Sequence, residues 1–362
     1  MSVKFLLRLF VALQIGTILV IAVTLLIKFP VWSPIDEGAH FTYIQYVAEE
    51  HRLPVLGRDP VTTEVLSISE KIYPEKSSSD PAKLGIGGQA YEAFQPPLYY
   101  ILAVPFFFFS DDYMNKVYLL RGFDFLLLLG SIFLLWGVAK AHYRQPLFPF
   151  SMGLNFFLLP GVLLRSITIS NAALTIPIAL LFIWLLVKFD RSEDNLLLLA
   201  AGLTFAAASL THLTLLYLLP VLVIVIVRHY LKRRDLRKLL PTAVGSLSLA
   251  VIPIVPWLIF NYRHYGAWSA NNLAKTIQSP IINPQGLNYS FIDAFHMVLG
   301  NRPGLSIPEE WLTVAYKHSS AIDSQYFIYY VLLVIPVFLT LLNFRVKSKF
   351  FCKFLVSPRS SV

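Results

Sequence analysis

Charged residues and cysteine are both scarce in this chain of 362 residues, and each scarcity excludes classes of protein. Lys, Arg, Asp and Glu make up only 14% of the sequence, whereas they make up about 25% of an ordinary soluble domain. Cys352 is the single cysteine, so neither an internal disulfide framework nor a cysteine-based zinc site can form. The sequence also lacks a phosphate-cradling glycine motif, a Gly-x-Ser-x-Gly nucleophile and a His-Glu-x-x-His zinc pattern.

Hydrophobic residues account for 56% of the chain, and long apolar runs recur along its whole length. A helix needs about 20 apolar residues to cross a hydrocarbon core of about 30 Å. We therefore predict an all-α integral membrane protein with about eight transmembrane helices in a single polytopic domain, residues 1–345. The predicted spans are 5–29, 123–139, 147–164, 171–187, 196–210, 213–227, 239–260 and 326–343.

The positions of the basic residues predict how these spans are oriented. Lys and Arg concentrate before the first span and in alternate turns after it, and cytoplasmic loops of membrane proteins carry such an excess. We therefore predict cytoplasmic termini, a basic cytoplasmic tail at 346–362, and two long outer loops at 30–122 and 261–325. The net charge of +9 then reflects orientation in a plasma (inner) membrane, and no nucleic-acid partner is expected.

The first outer loop is predicted to contain helices of its own. Apolar residues recur with helical spacing from Phe41 to Ala48, and Pro54 ends the pattern. Residues 71–88 are rich in Ser and Gly, which is typical of an irregular loop. The apolar run 97–109 is shorter than a membrane span, so we expect it to form an interfacial helix on the outer surface.

This topology brings a set of polar residues to the outer face of the membrane. Acids, imidazoles and guanidinium groups at membrane level indicate a site for a charged, lipid-linked substrate. The residues are Asp36, Glu37, His40, Arg121, Arg165, Asn171, His212 and Arg263.

Several of these residues also have purely structural interpretations. Ser33-Pro34 fits a helix start, in which Asp36 would accept backbone N–H bonds. Arg121 and Arg165 are typical of interfacial anchors whose charged ends reach the lipid headgroups. His212 can simply mark a turn. The sequence leaves these alternatives open.

Short motifs containing these residues follow one another over residues 1–270. They are Asp36-Glu37 with Ala39-His40, Tyr91-Glu92-x-x-Gln95-Pro96-Pro97-Leu98-Tyr99-Tyr100, Leu120-Arg121, Ile169-Ser170-Asn171, Leu210-Thr211-His212, and Pro256-Trp257 with Asn261-Tyr262-Arg263 and Tyr265-Gly266. In order and placement they resemble those of the GT-C superfamily of membrane glycosyltransferases, which includes the protein O-mannosyltransferases and the bacterial aminoarabinose transferases for lipid A. The chain ends soon after the eighth predicted span, as a short or truncated member would.

The resemblance implies a glycosyltransferase that uses a polyprenyl-phosphate-linked sugar as donor and a glycan, lipid or protein of the cell envelope as acceptor. Asp36 and Glu37 would be the catalytic residues, with Asp36 as general base. Glu37 and His40 are the candidate ligands of a divalent metal. The arginines would bind the lipid phosphate. The full set of candidate substrate-binding residues is His40, Glu92, Gln95, Arg121, Arg165, Asn171, His212 and Arg263.

Two positions depart from the pattern of those families. Ala172 stands where an Asp usually follows Ser-Asn, and His212 stands where Lys is common after Leu-Thr. A non-catalytic protein that binds or transports lipid-linked sugars, and a structural subunit of an envelope-polysaccharide assembly complex, are therefore the alternative hypotheses.

Overall fold

A computed structural model describes residues 3–32, 37–72, 88–233 and 236–270. Four of the sequence predictions lie outside the described residues: the general base Asp36, the second outer loop from residue 271 onward, the eighth span and the basic tail. Most of the predicted irregular segment 71–88 also lies outside them. Within the described residues there is no β-sheet, only an isolated antiparallel bridge between Pro60 and Gln89.

The described ranges are built from α-helices joined by short turns. The helices are α1 (Val3–Lys28), α2 (Glu37–Glu49), α3 (Thr63–Ile72), α4 (Leu98–Phe107), α5 (Tyr113–His142), α6 (Leu147–Phe157), α7 (Pro160–Arg165), α8 (Ala172–Ser192), α9 (Asn195–Ser209), α10 (Leu219–Arg233), α11 (Leu236–Val251) and α12 (Val255–Tyr265). Short 3-10 helices occupy Tyr91–Phe94, Leu213–Leu218 and Ile252–Ile254.

Several helical stretches are long and apolar enough to cross a bilayer, which agrees with a multi-pass membrane protein. Five such stretches occur within the described residues, and each overlaps a predicted span. They are Lys4–Lys28, Tyr113–His142, Ala172–Ser192, Leu213–Leu231 and Leu240–Tyr265. The predicted all-α class is thereby confirmed for the part of the chain that the structure describes.

The third predicted span is divided in the structure, whereas the fifth has nearly its predicted bounds but is short. The third is divided into α6 and α7, because Pro160 has no N–H to donate and begins a new helix. The fifth is α9, a helix of 15 residues, which falls short of the roughly 20 that a perpendicular span requires. The count of eight spans is therefore not reproduced by the described residues.

Helices of the first long loop pack against α5. The predicted helix at 41–48 is confirmed as α2, and its Phe41 and Ile44 are fully buried beside Phe107 of α4 and Val117 of α5. The predicted helix at 97–109 is confirmed as α4, which has 10 residues and is about 15 Å long. Helix α3 was not predicted from the sequence.

The longer helices pack as a chain of neighbours, with α5 against α8, α8 against α9, and α9 against α11. A Cβ atom placed on Gly202 of α9 would collide with the carbonyl oxygen of Ser246 on α11. The Ser246 hydroxyl donates a hydrogen bond of 2.7 Å to the Leu198 carbonyl. The absence of a side chain at residue 202 therefore allows the two helix backbones to approach closely.

Candidate functional site

Arg121 and Glu37 form a buried ion pair at the start of α2. The guanidinium is 0% exposed and the carboxylate 1% exposed, and Arg121 donates from Nε to Oε1 and from Nη2 to Oε2 of Glu37, both at 2.7 Å. Such a parallel, two-bond arrangement is the strongest geometry for this pair of groups. The remaining Arg121 N–H groups donate to carbonyl oxygens at the end of α1, those of Leu26, Phe29 and Pro30.

Glu37 accepts two further hydrogen bonds from backbone N–H groups. Trp32 donates to Oε2 and Ile169 donates to Oε1, each at 3.2 Å. The pair therefore connects the end of α1, the start of α2, the body of α5 and the turn before α8. Both groups were predicted to act on substrate, but their donors and acceptors are directed at each other and at the backbone. The geometry favours a positioning role for both.

A second buried carboxylate, Asp124, lies one turn after Arg121 on α5 and was not among the predicted site residues. It is 0% exposed and accepts hydrogen bonds from the Tyr99 hydroxyl, at 2.9 Å to Oδ1 and 3.1 Å to Oδ2. The Tyr99 oxygen in turn accepts a hydrogen bond of 3.1 Å from the Ser170 N–H. An ionisable residue inside an apolar span is rare enough to be a candidate functional residue by default. The acid of the Arg121-x-x-Asp124 sequence was therefore the signal from which this residue could have been predicted.

His40 lies in a second cluster, formed with aromatic residues of α2 and α4. Its Nδ1 is 2.8 Å from the hydroxyl of Tyr100, and the imidazole is 4% exposed. The Tyr100 ring stacks on the ring of Tyr43 with centroids 3.7 Å apart and planes 8° from parallel. Tyr43 donates a hydrogen bond of 3.3 Å to the Gln95 carbonyl. These contacts fix the position of the His40 ring.

The pKa of His40 is lowered to about 3, chiefly by burial and, in the same direction, by electrostatic repulsion from His212 and Arg165. Burial and the charge of Arg165 also lower the pKa of His212. The His212 Nδ1 lies 2.7 Å from the Thr214 hydroxyl and accepts a hydrogen bond from the Thr214 N–H. Two uncharged imidazoles therefore lie in the electrostatic field of one guanidinium.

Asn171 joins the first loop to the turn after α9. Its Nδ2 donates to Oε1 of Gln95 at 3.1 Å and to the Thr211 carbonyl at 3.0 Å. The Leu98 N–H donates to the Leu210 carbonyl at 2.9 Å, in the same region. The structure thus brings the predicted residues Gln95 and Asn171 into direct contact, beside the turn that carries His212.

Arg165 differs from Arg121 in being exposed. It is the last residue of α7, and its guanidinium makes no ion pair or side-chain hydrogen bond with the described residues. Its field nevertheless acts on both His40 and His212. An accessible guanidinium beside neutral hydrogen-bonding groups can bind a phosphate through two parallel N–H bonds.

Glu92 is buried and Arg263 is exposed. Glu92 lies in the 3-10 helix Tyr91–Phe94 and is 5% exposed. The pKa of Tyr100 is raised first by the burial of Tyr100 and next by the charge of Glu92. Arg263 is exposed in the last turn of α12 and forms no ion pair within the described part of the chain. Helix α12 reaches the first loop through Tyr265, whose hydroxyl accepts a hydrogen bond from the Leu56 N–H at 3.1 Å.

The proposed metal ligands do not fit a cation. Both Glu37 oxygens accept hydrogen bonds from Arg121, and Nδ1 of His40 faces the Tyr100 hydroxyl. Hard divalent cations take several oxygen ligands, and the residues described include no group of three His, Cys, Asp or Glu side chains that could hold one.

Comparisons with known proteins returned no relative for this chain: no family model matches it, and neither do the curated proteins or the solved structures.

Proposed function

We propose that this chain is a membrane glycosyltransferase that transfers a sugar from a polyprenyl-phosphate-linked donor to an acceptor of the cell envelope, on the outer face of the plasma (inner) membrane. The observation that supports it best is Arg165, an accessible guanidinium without an acidic partner among the described residues, beside the neutral His40 and His212. A lipid phosphate is the anion that such a group would meet at membrane level.

In this reaction the acceptor oxygen forms a bond to the anomeric carbon while the bond from that carbon to the phosphate oxygen breaks. The leaving lipid phosphate keeps the electron pair, and Arg165 stabilises its growing negative charge. Neutral imidazoles at His40 and His212 can donate N–H bonds to the phosphate or the sugar without adding a charge. The Asp36 carboxylate accepts the proton of the acceptor hydroxyl.

The Arg121–Glu37 pair supports this assignment indirectly. Glu37 follows Asp36 in the chain, so the buried pair fixes the backbone directly after the proposed base. Positioning of a catalytic group by a locked neighbouring residue contributes to rate because misplacement by about 1 Å can cost about 100-fold. Glu37 and Arg121 are therefore positioning residues in this proposal, and phosphate binding falls to Arg165, with Arg263 as a second candidate cation.

The test measures transfer and donor binding separately in protein reconstituted with a polyprenyl-phosphate sugar. Asp36→Asn is expected to lower the transfer rate by about 100- to 10,000-fold, as loss of a general base does, while donor affinity is retained. Arg165→Gln is expected to weaken donor binding. Asp111→Asn, which changes an exposed acid of the same loop, is the matched control. Full transfer by Asp36→Asn would contradict the proposed mechanism.

Ala172 favours a second candidate, a non-catalytic protein that binds or transports lipid-linked sugar. An acid expected at this position by the resemblance is absent, and the Ala172 N–H simply donates to the Ser170 hydroxyl at 3.2 Å. This candidate predicts donor binding that depends on Arg165, with no transfer to any envelope acceptor. A structural subunit of an assembly complex would instead tolerate Arg165→Gln without loss of lipid-sugar binding.

A further inference from the structure

A pocket with a volume of ≈ 240 Å³ lies where the first turns of α1 meet the segment between α5 and α6. Its lining combines two cations, an amide and an apolar floor: Lys4, Arg8, Gln145, Leu7, Leu147 and Phe148. None of these residues belongs to the cluster around His40. The pocket is therefore a separate feature of the molecule.

The two cations of this pocket have no acidic partner among the described residues. Three other basic side chains near the ends of neighbouring helices are engaged. Arg191 donates to the His142 carbonyl at 2.7 Å, Arg228 pairs with Asp190 at 3.4 Å, and the Lys188 ammonium lies 4.0 Å from the Trp184 ring centroid. Within the part of the chain that the structure describes, no acidic side chain therefore balances the positive charge of Lys4 and Arg8.

The start of α6 adds to this positive potential. The helix begins at Leu147, and its N-cap residue, Pro146, provides no side-chain hydrogen bond to the first turn. The N-terminus of a helix carries a partial positive charge from its unpaired N–H groups. Because Pro146 and Leu147 line the pocket, this charge acts in the same direction as those of Lys4 and Arg8.

Large apolar side chains continue from the pocket along the outside of α1. Phe5, Leu6 and Leu9 are 52%, 45% and 45% exposed, respectively. Exposed apolar residues on a membrane-length helix are suited to contact lipid acyl chains. The ligand that matches the site therefore has an anionic head and an apolar body.

We propose that this pocket binds the phosphate-bearing headgroup of an anionic phospholipid, with Lys4 and Arg8 on the phosphate and the acyl chains along α1. Free inorganic phosphate shares the anionic chemistry but would make no use of the apolar surface. The assignment is independent of the proposed transfer reaction. It also concerns the end of α1 opposite to the end that Arg121 contacts.

The experiment measures retention of phosphatidylglycerol by the full-length protein in phosphatidylcholine nanodiscs. The double variant Lys4→Gln/Arg8→Gln is expected to lose retention by about 25-fold, because one basic side chain near an anionic lipid surface contributes about fivefold. Lys140→Gln/Arg144→Gln removes two cations from the neighbouring turn that do not line the pocket, and it is expected to retain the lipid. Lys4→Arg/Arg8→Lys keeps both charges and is expected to bind as the unmodified chain does.

Two results would overturn the proposal. One is equal retention of phosphatidylglycerol by Lys4→Gln/Arg8→Gln and Lys140→Gln/Arg144→Gln. That result would show that lipid retention depends only on the general surface charge. The other is displacement of phosphatidylglycerol by millimolar inorganic phosphate, which would show that the site takes a free anion. Thermal unfolding of each variant in phosphatidylcholine alone separates loss of lipid binding from loss of fold.

Discussion

At the scale of single residues, the Arg121 guanidinium shows what an arginine can do inside a membrane protein when every donor has an acceptor. Its N–H groups are distributed between one carboxylate and three backbone carbonyls. The carbonyls belong to the end of α1, where a helix leaves acceptors without internal partners. The same side chain therefore neutralises Glu37 and completes the hydrogen bonding of a helix terminus.

Arg121→Gln is expected to lower the free energy of unfolding by about 3–5 kcal/mol, because it leaves the Glu37 carboxylate buried without its counter-charge. Arg121→Lys is expected to recover only part of the loss, since an ammonium cannot form the two parallel bonds. Denaturant titration of the purified protein measures both effects. The double variant Arg121→Gln/Glu37→Gln should cost less than the sum of the single changes.

Arg263→Gln is the stability control for this series, because that arginine is exposed and has no ion pair among the described residues, and surface changes usually alter stability by less than about 0.5 kcal/mol. An Arg121→Gln variant as stable as Arg263→Gln would show that the buried pair contributes nothing to the fold.

At the scale of helices, the contact between α9 and α11 depends on one position without a side chain. Gly202 faces the Ser246 carbonyl so closely that no Cβ atom can be accommodated without movement of a backbone. Lipid gives little hydrophobic drive for two helices to associate, so close backbone approach is one of the main sources of attraction. This contact therefore stabilises the side of the bundle that carries the His212 turn.

Gly202→Ala is expected to destabilise the protein by about 1–3 kcal/mol, as overpacking of a closely fitted interface does. Gly130→Ala on α5 is the matched control, because a Cβ at that position meets nothing within 4 Å. Alanine also has a higher helix propensity than glycine, so the control should be neutral or slightly stabilising. The midpoints of detergent-induced unfolding compare the two, and equal midpoints would contradict the expected close contact.

At the scale of the whole molecule, the arrangement of charge predicts which loops face outward. Positions 80 and 290 lie in the predicted outer loops, and Arg144 lies in a predicted cytoplasmic turn. With Cys352 replaced by serine, Asp80→Cys and Ser290→Cys are expected to react with an impermeant thiol reagent in intact cells. Arg144→Cys is expected to react only after permeabilisation. The reverse pattern would place the proposed site in the wrong compartment.

The sequence predicted the architecture better than it predicted the roles of individual side chains. Long apolar runs were sufficient for α1, α5 and α8, because span length is set by the thickness of the bilayer. Pro160 divides the third predicted span into α6 and α7, and α9 follows the predicted fifth span closely but has only 15 residues. Glu37 and Arg121 were both identified as candidates, but residues 84 positions apart carry no local signal that they bind each other.

The Glu37–Arg121 pair also implies an order of events during synthesis of the chain. Glu37 and the α1 carbonyls are made well before Arg121, which lies within α5. An unpaired arginine costs about 2.5–3.5 kcal/mol during insertion at the centre of a spanning helix and less towards its ends, and Arg121 lies in the third turn of α5. Because α1 and the start of α2 already offer the acceptors when α5 leaves the ribosome, they can lower that cost. We therefore expect α1 and the start of α2 to assist the insertion of α5.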